Sequence, residues 1–290
     1  MCPSPRTATF PTRPRGSAEG RLVGVAEDDA TDQVEFDPVP GGNNLGGIWG
    51  VSAVSSDASG DVIYTAVGNS AVQDPSCNCT VETSGYGDEV VALAPDLSQV
   101  IAADRPPYIP TVGDADFGAS PLVFQPAGCP PFLAANNKNG NLFIWNSQKL
   151  ASGPIARFGI ADSVAPFVAQ PAWNPQTQML YDSHAVVRKN GKTTGQGIAG
   201  IAVTPGCKFA QTWLMQTGTG LQMPPLLVGN VVYDGAGDAP ALVALDAHTG
   251  KVVWRWQAAG TAGMTAPLIE ADGLVIAADT AGAIRAFQLG

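Results

Sequence analysis

Hard oxygen donors, side-chain amides, one lysine and one indole are the groups of this sequence with the best prospect of joint chemistry, because nucleophile-and-base sets are scarce. Only two histidines occur. His248 falls in a polar turn and His184 follows an apolar strand, so neither a Ser-His-Asp triad nor a histidine-rich metal site is expected. No nucleophile elbow or phosphate-cradling glycine loop is present. The candidates left are Glu27 in VGVAEDD, Trp49 in GGIWG, Asn69 in YTAVGNS, Asp114 and Asp116 in GDADFGASP, and Asn136, Asn137 and Lys138 in FLAANNKNG. Carboxylate and amide oxygens are the ligands a calcium ion takes, and an indole offers a flat stacking surface. Alone, each has an ordinary reading: Asn and Asp populate turns for backbone reasons, and Glu27 beside Asp28 and Asp29 reads as a solvated acidic loop. Their places in a repeat raise the functional reading.

That repeat ends in a strand-turn-strand signature, VALDAHTGKVVW from Val243 to Trp254, with a degenerate copy at Val91 to Ile101 and a shortened one at the end of the chain. Each copy opens on a proline and an apolar run, and Pro121, Pro171, Pro225 and Pro267 stand 50, 54 and 42 residues apart. A period of roughly 45 residues with four short strands per unit is the mark of a β-propeller. The second apolar run reads LVGVAE, IYTAVGN, FLAANNK, VVYDGAGD and VIAADTAG in successive repeats. In a four-stranded antiparallel blade, residues after the second strand and residues before the first lie at the same end. Glu27, Asn69 and Lys138 follow second runs, while Trp49, Asp114 and Asp116 precede first ones, so all are expected at one end. In the signature, the period of two puts Trp254 and Trp256 on one face, where they can pack between blades.

Composition agrees. With 34 Gly, 24 Pro and 14% charged residues the chain is rich in turns, and 45% hydrophobic content supplies a core. The expected fold is all-β, with about six visible repeat units forming an incomplete ring: residues 1–19 as a disordered or truncated segment and 20–290 as one propeller. A net charge of −10 argues against nucleic acid and anionic membrane surfaces. No apolar run reaches signal-peptide or membrane-span length. Cys77, Cys79, Cys129 and Cys207 lie in or near loops and suit disulfides of an exported protein, with three connectivities open.

These repeats and site motifs resemble the quinoprotein alcohol dehydrogenases, eight-bladed propellers that use pyrroloquinoline quinone (PQQ) and calcium. The likeness covers residues 20–290, looks like the later blades of such an enzyme, and is nearest the polyvinyl-alcohol-dehydrogenase-like branch. It implies that Trp49 lies beneath the cofactor and Lys138 contacts its quinone oxygens. It further implies that Glu27, Asn69 and Asp116 ligate calcium, and that Asp116, or its rival Asp114, is the general base. A small or polymeric alcohol would be the substrate, oxidised in the periplasm or outside the cell. The family's adjacent-cysteine disulfide is absent, and without a CxxCH haem motif electrons would pass to a separate acceptor. A non-catalytic, protein-binding propeller is the alternative, since fold does not fix function.

Overall fold

The computed structural model describes residues 20–40, 46–49, 54–74, 79–82, 85–107, 115–160, 169–184, 188–189, 192–193, 196–218, 224–235, 241–264 and 266–288. Residues 1–19 and Asp114 therefore lie outside the described residues.

Six antiparallel sheets follow one another along the chain. The first pairs β1 (Leu22–Val25) with β2 (Gln33–Phe36). The second orders β3 (Ser55–Ser56) and β4 (Ile63–Ala66) beside two later strands, after an inserted hairpin of β5 (Ala71–Asp74) and β6 (Cys79–Glu82). Those later strands are β7 (Val90–Leu93) and β8 (Val100–Asp104). The third sheet holds β9 (Leu122–Phe124), β10 (Phe132–Asn137), β11 (Asn141–Asn146) and β12 (Ala156–Gly159). In the fourth, β13 (Ala172–Asn174) and β14 (Met179–His184) precede a second inserted hairpin, β15 (Arg188–Lys189) with β16 (Lys192–Thr193). It is completed by β17 (Gly197–Thr204) and β18 (Lys208–Gln216). The fifth holds β19 (Leu226–Val228), β20 (Val231–Gly235), β21 (Ala241–Asp246) and β22 (Val252–Gln257). The sixth has three strands, β23 (Ile269–Ala271), β24 (Leu274–Ala278) and β25 (Ile284–Gln288).

Second and third strands read as continuous apolar runs because both of their faces are covered. In β7, Val91 and Leu93 face the first sheet while Val90 and Ala92 face the third. In β10, Leu133 and Ala135 face the second sheet, whereas Phe132 and Ala134 face the fourth. Five apolar cores result, each joining one sheet to the next, and among the described residues none joins the sixth to the first. The architecture is an incomplete β-propeller. Trp256 packs in the last core, edge-on to Phe287 at 5.1 Å, and Trp254 meets the same ring at 5.5 Å.

Turn chemistry closes the hairpins between third and fourth strands. Asp96 Oδ1 accepts from Ser98 N and Oγ, and Asp246 Oδ1 accepts from Thr249 N and Oγ1. The same device joins β1 to β2, where Asp29 Oδ1 accepts from Thr31 N and Oγ1. LVGVAE begins where Gly20 abuts Gly46 and passes Leu97 in the β7–β8 turn, so it runs opposite to β4 and is not the second strand expected from its sequence. Prolines 121, 171 and 225 stand directly before β9, β13 and β19, where a missing N–H costs no ladder bond.

Cys129, in the β9–β10 turn, and Cys207, in the β17–β18 turn, form a disulfide that staples the third sheet to the fourth across 78 residues. Cys77 lies outside the described residues. Closing so long a loop stabilises a chain by about 4 kcal/mol in the chain-entropy account. Cys129→Ser/Cys207→Ser should lower the urea midpoint by about that free energy. Dithiothreitol should carry the parent toward the variant without moving the variant itself; an unshifted midpoint would show that the bridge does not form.

Candidate functional site

The second strands β4, β10, β14 and β20 all run toward one end, and the polar side chains that follow their apolar runs collect there. At the end of β10, an isolated bridge pairs Phe117 with Asn137, and Lys138 N donates to Asp116 O at 2.9 Å. This backbone clamp sets the two side chains beside each other. Lys138 Nζ stands 2.6 Å from Asp116 Oδ1, both groups almost wholly buried. Asp116 Oδ2 accepts the backbone N–H of Asn69, in the loop after β4, at 3.1 Å. A second backbone ladder aligns residues 46–49 with that loop: Gly68 N donates to Gly47 O and Gly46 N to Asn69 O, each at 2.7 Å. It carries Trp49 to the same place, with its ring 5.8 Å from Lys138 Nζ and 51% exposed. Gly68 is the hub, because a Cβ there would lie 2.7 Å from Asp116 Oδ2 and 2.8 Å from Trp49 Nε1.

Trp49, Asn69, Asp116 and Lys138 thus come together. Glu27 does not. Gly24 packs on Leu97, in the β7–β8 turn, whereas Gly20 abuts Gly46 beside Asn69. β1 therefore runs away from the site and delivers Glu27, exposed, to the opposite end. The misplacement follows from the strand assignment corrected above. Asp88 is the residue that sequence reasoning missed: its N–H donates to Gly68 O at 3.0 Å, and its buried carboxylate meets Arg105 at 3.2 Å. Its only signal is a Gly-Tyr-Gly-Asp run directly before a third strand.

The polar belt continues across the neighbouring seams. Between the third and fourth sheets, Asn136 Nδ2 donates to Asp182 Oδ1 and to Ala169 O, and Asp182 Oδ2 lies 2.9 Å from His184 Nε2. Between the fourth and fifth, Asp234 receives bonds from Ser183, Gln196 and Thr217. His184 is thus the buried last residue of β14, within the strand it was expected to follow, while His248 is exposed in its turn. Burial outweighs the three donors around Asp234 and pushes its carboxyl up to about 6. Among the described residues no three His, Cys, Asp or Glu side chains gather into a metal-binding group.

No protein-family model matches the chain, and no curated protein matches its sequence. Solved structures match its fold. A quinohemoprotein alcohol dehydrogenase from Comamonas testosteroni superposes with a TM-score of 0.56 at 17% identity, over 80% of this chain and 44% of the other. BamB from Moraxella catarrhalis gives 0.57 at 15%, over 94% and 65%. A chain of a mitotic checkpoint complex gives 0.62 at 10%, over 94% and 69%. The chain therefore spans under half the length of that dehydrogenase. Together with the repeats, these likenesses define a β-propeller fold.

Two outcomes test the geometry. Gly68→Ala should force Asp116 or Trp49 aside, costing about 1–3 kcal/mol as overpacking does and shifting Trp emission; an unchanged stability and spectrum would dissolve the hub. Asp234 has a folded-state pKa raised above its unfolded one, so its contribution is fully present below about pH 4 and is lost as pH rises through about 6. The loss amounts to about 3 kcal/mol. Asp234→Asn should gain on the parent by roughly that amount between pH 4 and pH 8 in urea titrations; parallel pH profiles would contradict it.

Proposed function

We propose that the chain is a propeller of the quinoprotein alcohol dehydrogenase type, holding a flat quinone at Trp49 and Lys138 and oxidising an alcohol there. The convergence of Trp49, Asn69, Asp116 and Lys138 on one end of two adjoining sheets carries this reading. PQQ fits these residues. A half-exposed indole face stacks on a flat ring, and an ammonium anchored beside that face meets its anionic oxygens. When bound, the quinone supplies the hydride acceptor, and the protein supplies orientation and electrostatics. Asp116 keeps the Lys138 ammonium in place, and the Gly47–Gly68 ladder holds Trp49 beside the loop after β4.

Calcium does not fit the described residues, so no step is drawn through it. It takes roughly six to eight oxygens, usually with several carboxylates. Glu27 lies at the opposite end, and both Asp116 oxygens are engaged by an ammonium and an amide. The proposed substrate is an alcohol, the electron sink a separate acceptor, and the compartment the periplasm or cell exterior, which the Cys129–Cys207 bridge supports. No helix among the described residues is long and apolar enough to cross a membrane. A protein-binding propeller is the second reading, supported by the fold likeness to a chain of a mitotic checkpoint complex.

The test is a titration with PQQ followed by Trp fluorescence, with and without calcium. Saturable quenching should occur without the metal, vanish in Trp49→Ala, and weaken at least about tenfold in the charge-neutral double variant Lys138→Met/Asp116→Asn. Binding unchanged in both variants would place the cofactor elsewhere. No binding to the parent would leave the protein-binding reading.

A further inference from the structure

We propose that the seam between the fifth and sixth sheets is a second binding site, which takes an uncharged, ring-bearing small molecule between its apolar walls and one carbonyl or ether oxygen of that molecule on the Tyr233 hydroxyl. The site is independent of the function proposed above, because neither sheet carries a residue of the Trp49–Lys138 site.

A cavity of about 500 Å³ lies in this seam, within the range of small-molecule sites. Tyr233, Ala244 and Val275 form its buried wall, while the exposed Trp254 and Gln288 lie on its open side. Trp254 and Phe287, both lining it, stand 5.5 Å apart at 67°, the edge-to-face geometry that a further aromatic ring extends. No charged side chain lines the cavity, so an ionised ligand would lose its water and find no counter-charge.

The polar handle is Tyr233. Tyr64 in β4, Tyr181 in β14 and Tyr233 in β20 hold one position of the repeat, each opposite the first residue of its sheet's first strand. In the first two the protein uses the hydroxyl itself: Ser147 bonds that of Tyr64, and Thr177 Oγ1 lies 3.2 Å from that of Tyr181. Thr177 belongs to the turn of residues 175–178 that joins β13 to β14, whereas only Gly229 and Asn230 join β19 to β20. The shorter turn supplies no hydroxyl. Tyr233 is 9% exposed and lines the cavity, and among the described residues no group bonds its hydroxyl. Burial alone pushes its pKa up, which keeps the phenol protonated as an O–H donor. Buried donors are normally satisfied, and an oxygen of the ligand satisfies this one.

The test uses the full chain and three probes. Benzophenone has two rings and one carbonyl, diphenylmethane has the same frame without the oxygen, and 4-benzoylbenzoate adds a charge. Calorimetry should show saturable benzophenone binding, diphenylmethane binding about tenfold weaker, and no binding of the benzoate. Tyr233→Phe should bring benzophenone down to the affinity of diphenylmethane and leave diphenylmethane unmoved. Irradiated benzophenone inserts into C–H bonds beside it, so labels on the parent should fall within 226–257 and 269–288, whether or not the variant folds. Equal affinity for benzophenone and diphenylmethane, or a benzophenone affinity untouched by Tyr233→Phe, overturns the proposal. So do labels confined to another part of the chain, and so does a parent that sediments as a dimer with this seam unlabelled, which would make a second copy the occupant.

Discussion

The buried ion pair between Lys138 and Asp116 is the contact on which the arrangement of this end of the propeller depends. Removing either partner would leave the other charge buried and uncompensated, at a cost of about 3–5 kcal/mol. The pair locks the segment before β9 to the end of β10 within one sheet. Through the Asn69 N–H it reaches the preceding sheet as well. Everything placed by the loop after β4, including Gly68, Asp88 and the ladder that carries Trp49, is therefore indexed to one carboxylate.

The same logic is repeated along the belt. A second strand enclosed on both faces cannot simply end in polar residues; its donors and acceptors must be satisfied across the seam by the next sheet. Asn136 reaches Asp182, and Ser183 reaches Asp234. Apolar cores hold adjacent sheets together without directional preference, and these bonds set their relative height. At the other end many hairpin turns satisfy themselves, through Asp29, Asp96 and Asp246, and the Cys129–Cys207 staple is joined there by bonds between turns, Ala127 N to Gln178 Oε1 and Asn174 Nδ2 to Gly229 O.

Much of this was legible from spacing. The proline-led first strands, the signature hairpins and the pairing of Trp254 with Trp256 on one face follow from periodicity and turn chemistry, and they define the propeller. Trp49, Asn69, Asp116 and Lys138 meet because each lies at a known offset from a first or second strand. Glu27 shows where offsets fail: LVGVAE has the apolar pattern of a second strand, and only its direction, from Gly46 toward the β7–β8 turn, shows that it is not one. His184 and Asp88 were missed for a different reason. Their partners, Asp182 and Arg105, stand 2 and 17 residues away, and no local pattern encodes such contacts.

Fold likeness spans an alcohol dehydrogenase, BamB and a checkpoint assembly, so the chemistry must be decided by the charges at the site. Those charges cancel in pairs: Asp116 against Lys138, and Asp88 against Arg105. A divalent cation gains little from carboxylates already neutralised by fixed cations, and to bind Asp116 it would have to displace the buried Lys138 ammonium from it. A flat ring with peripheral anionic oxygens makes no such demand, since it uses the indole face and the outward side of the ammonium without breaking either pair. Among the described residues, the electrostatics of this end therefore disfavour a divalent metal.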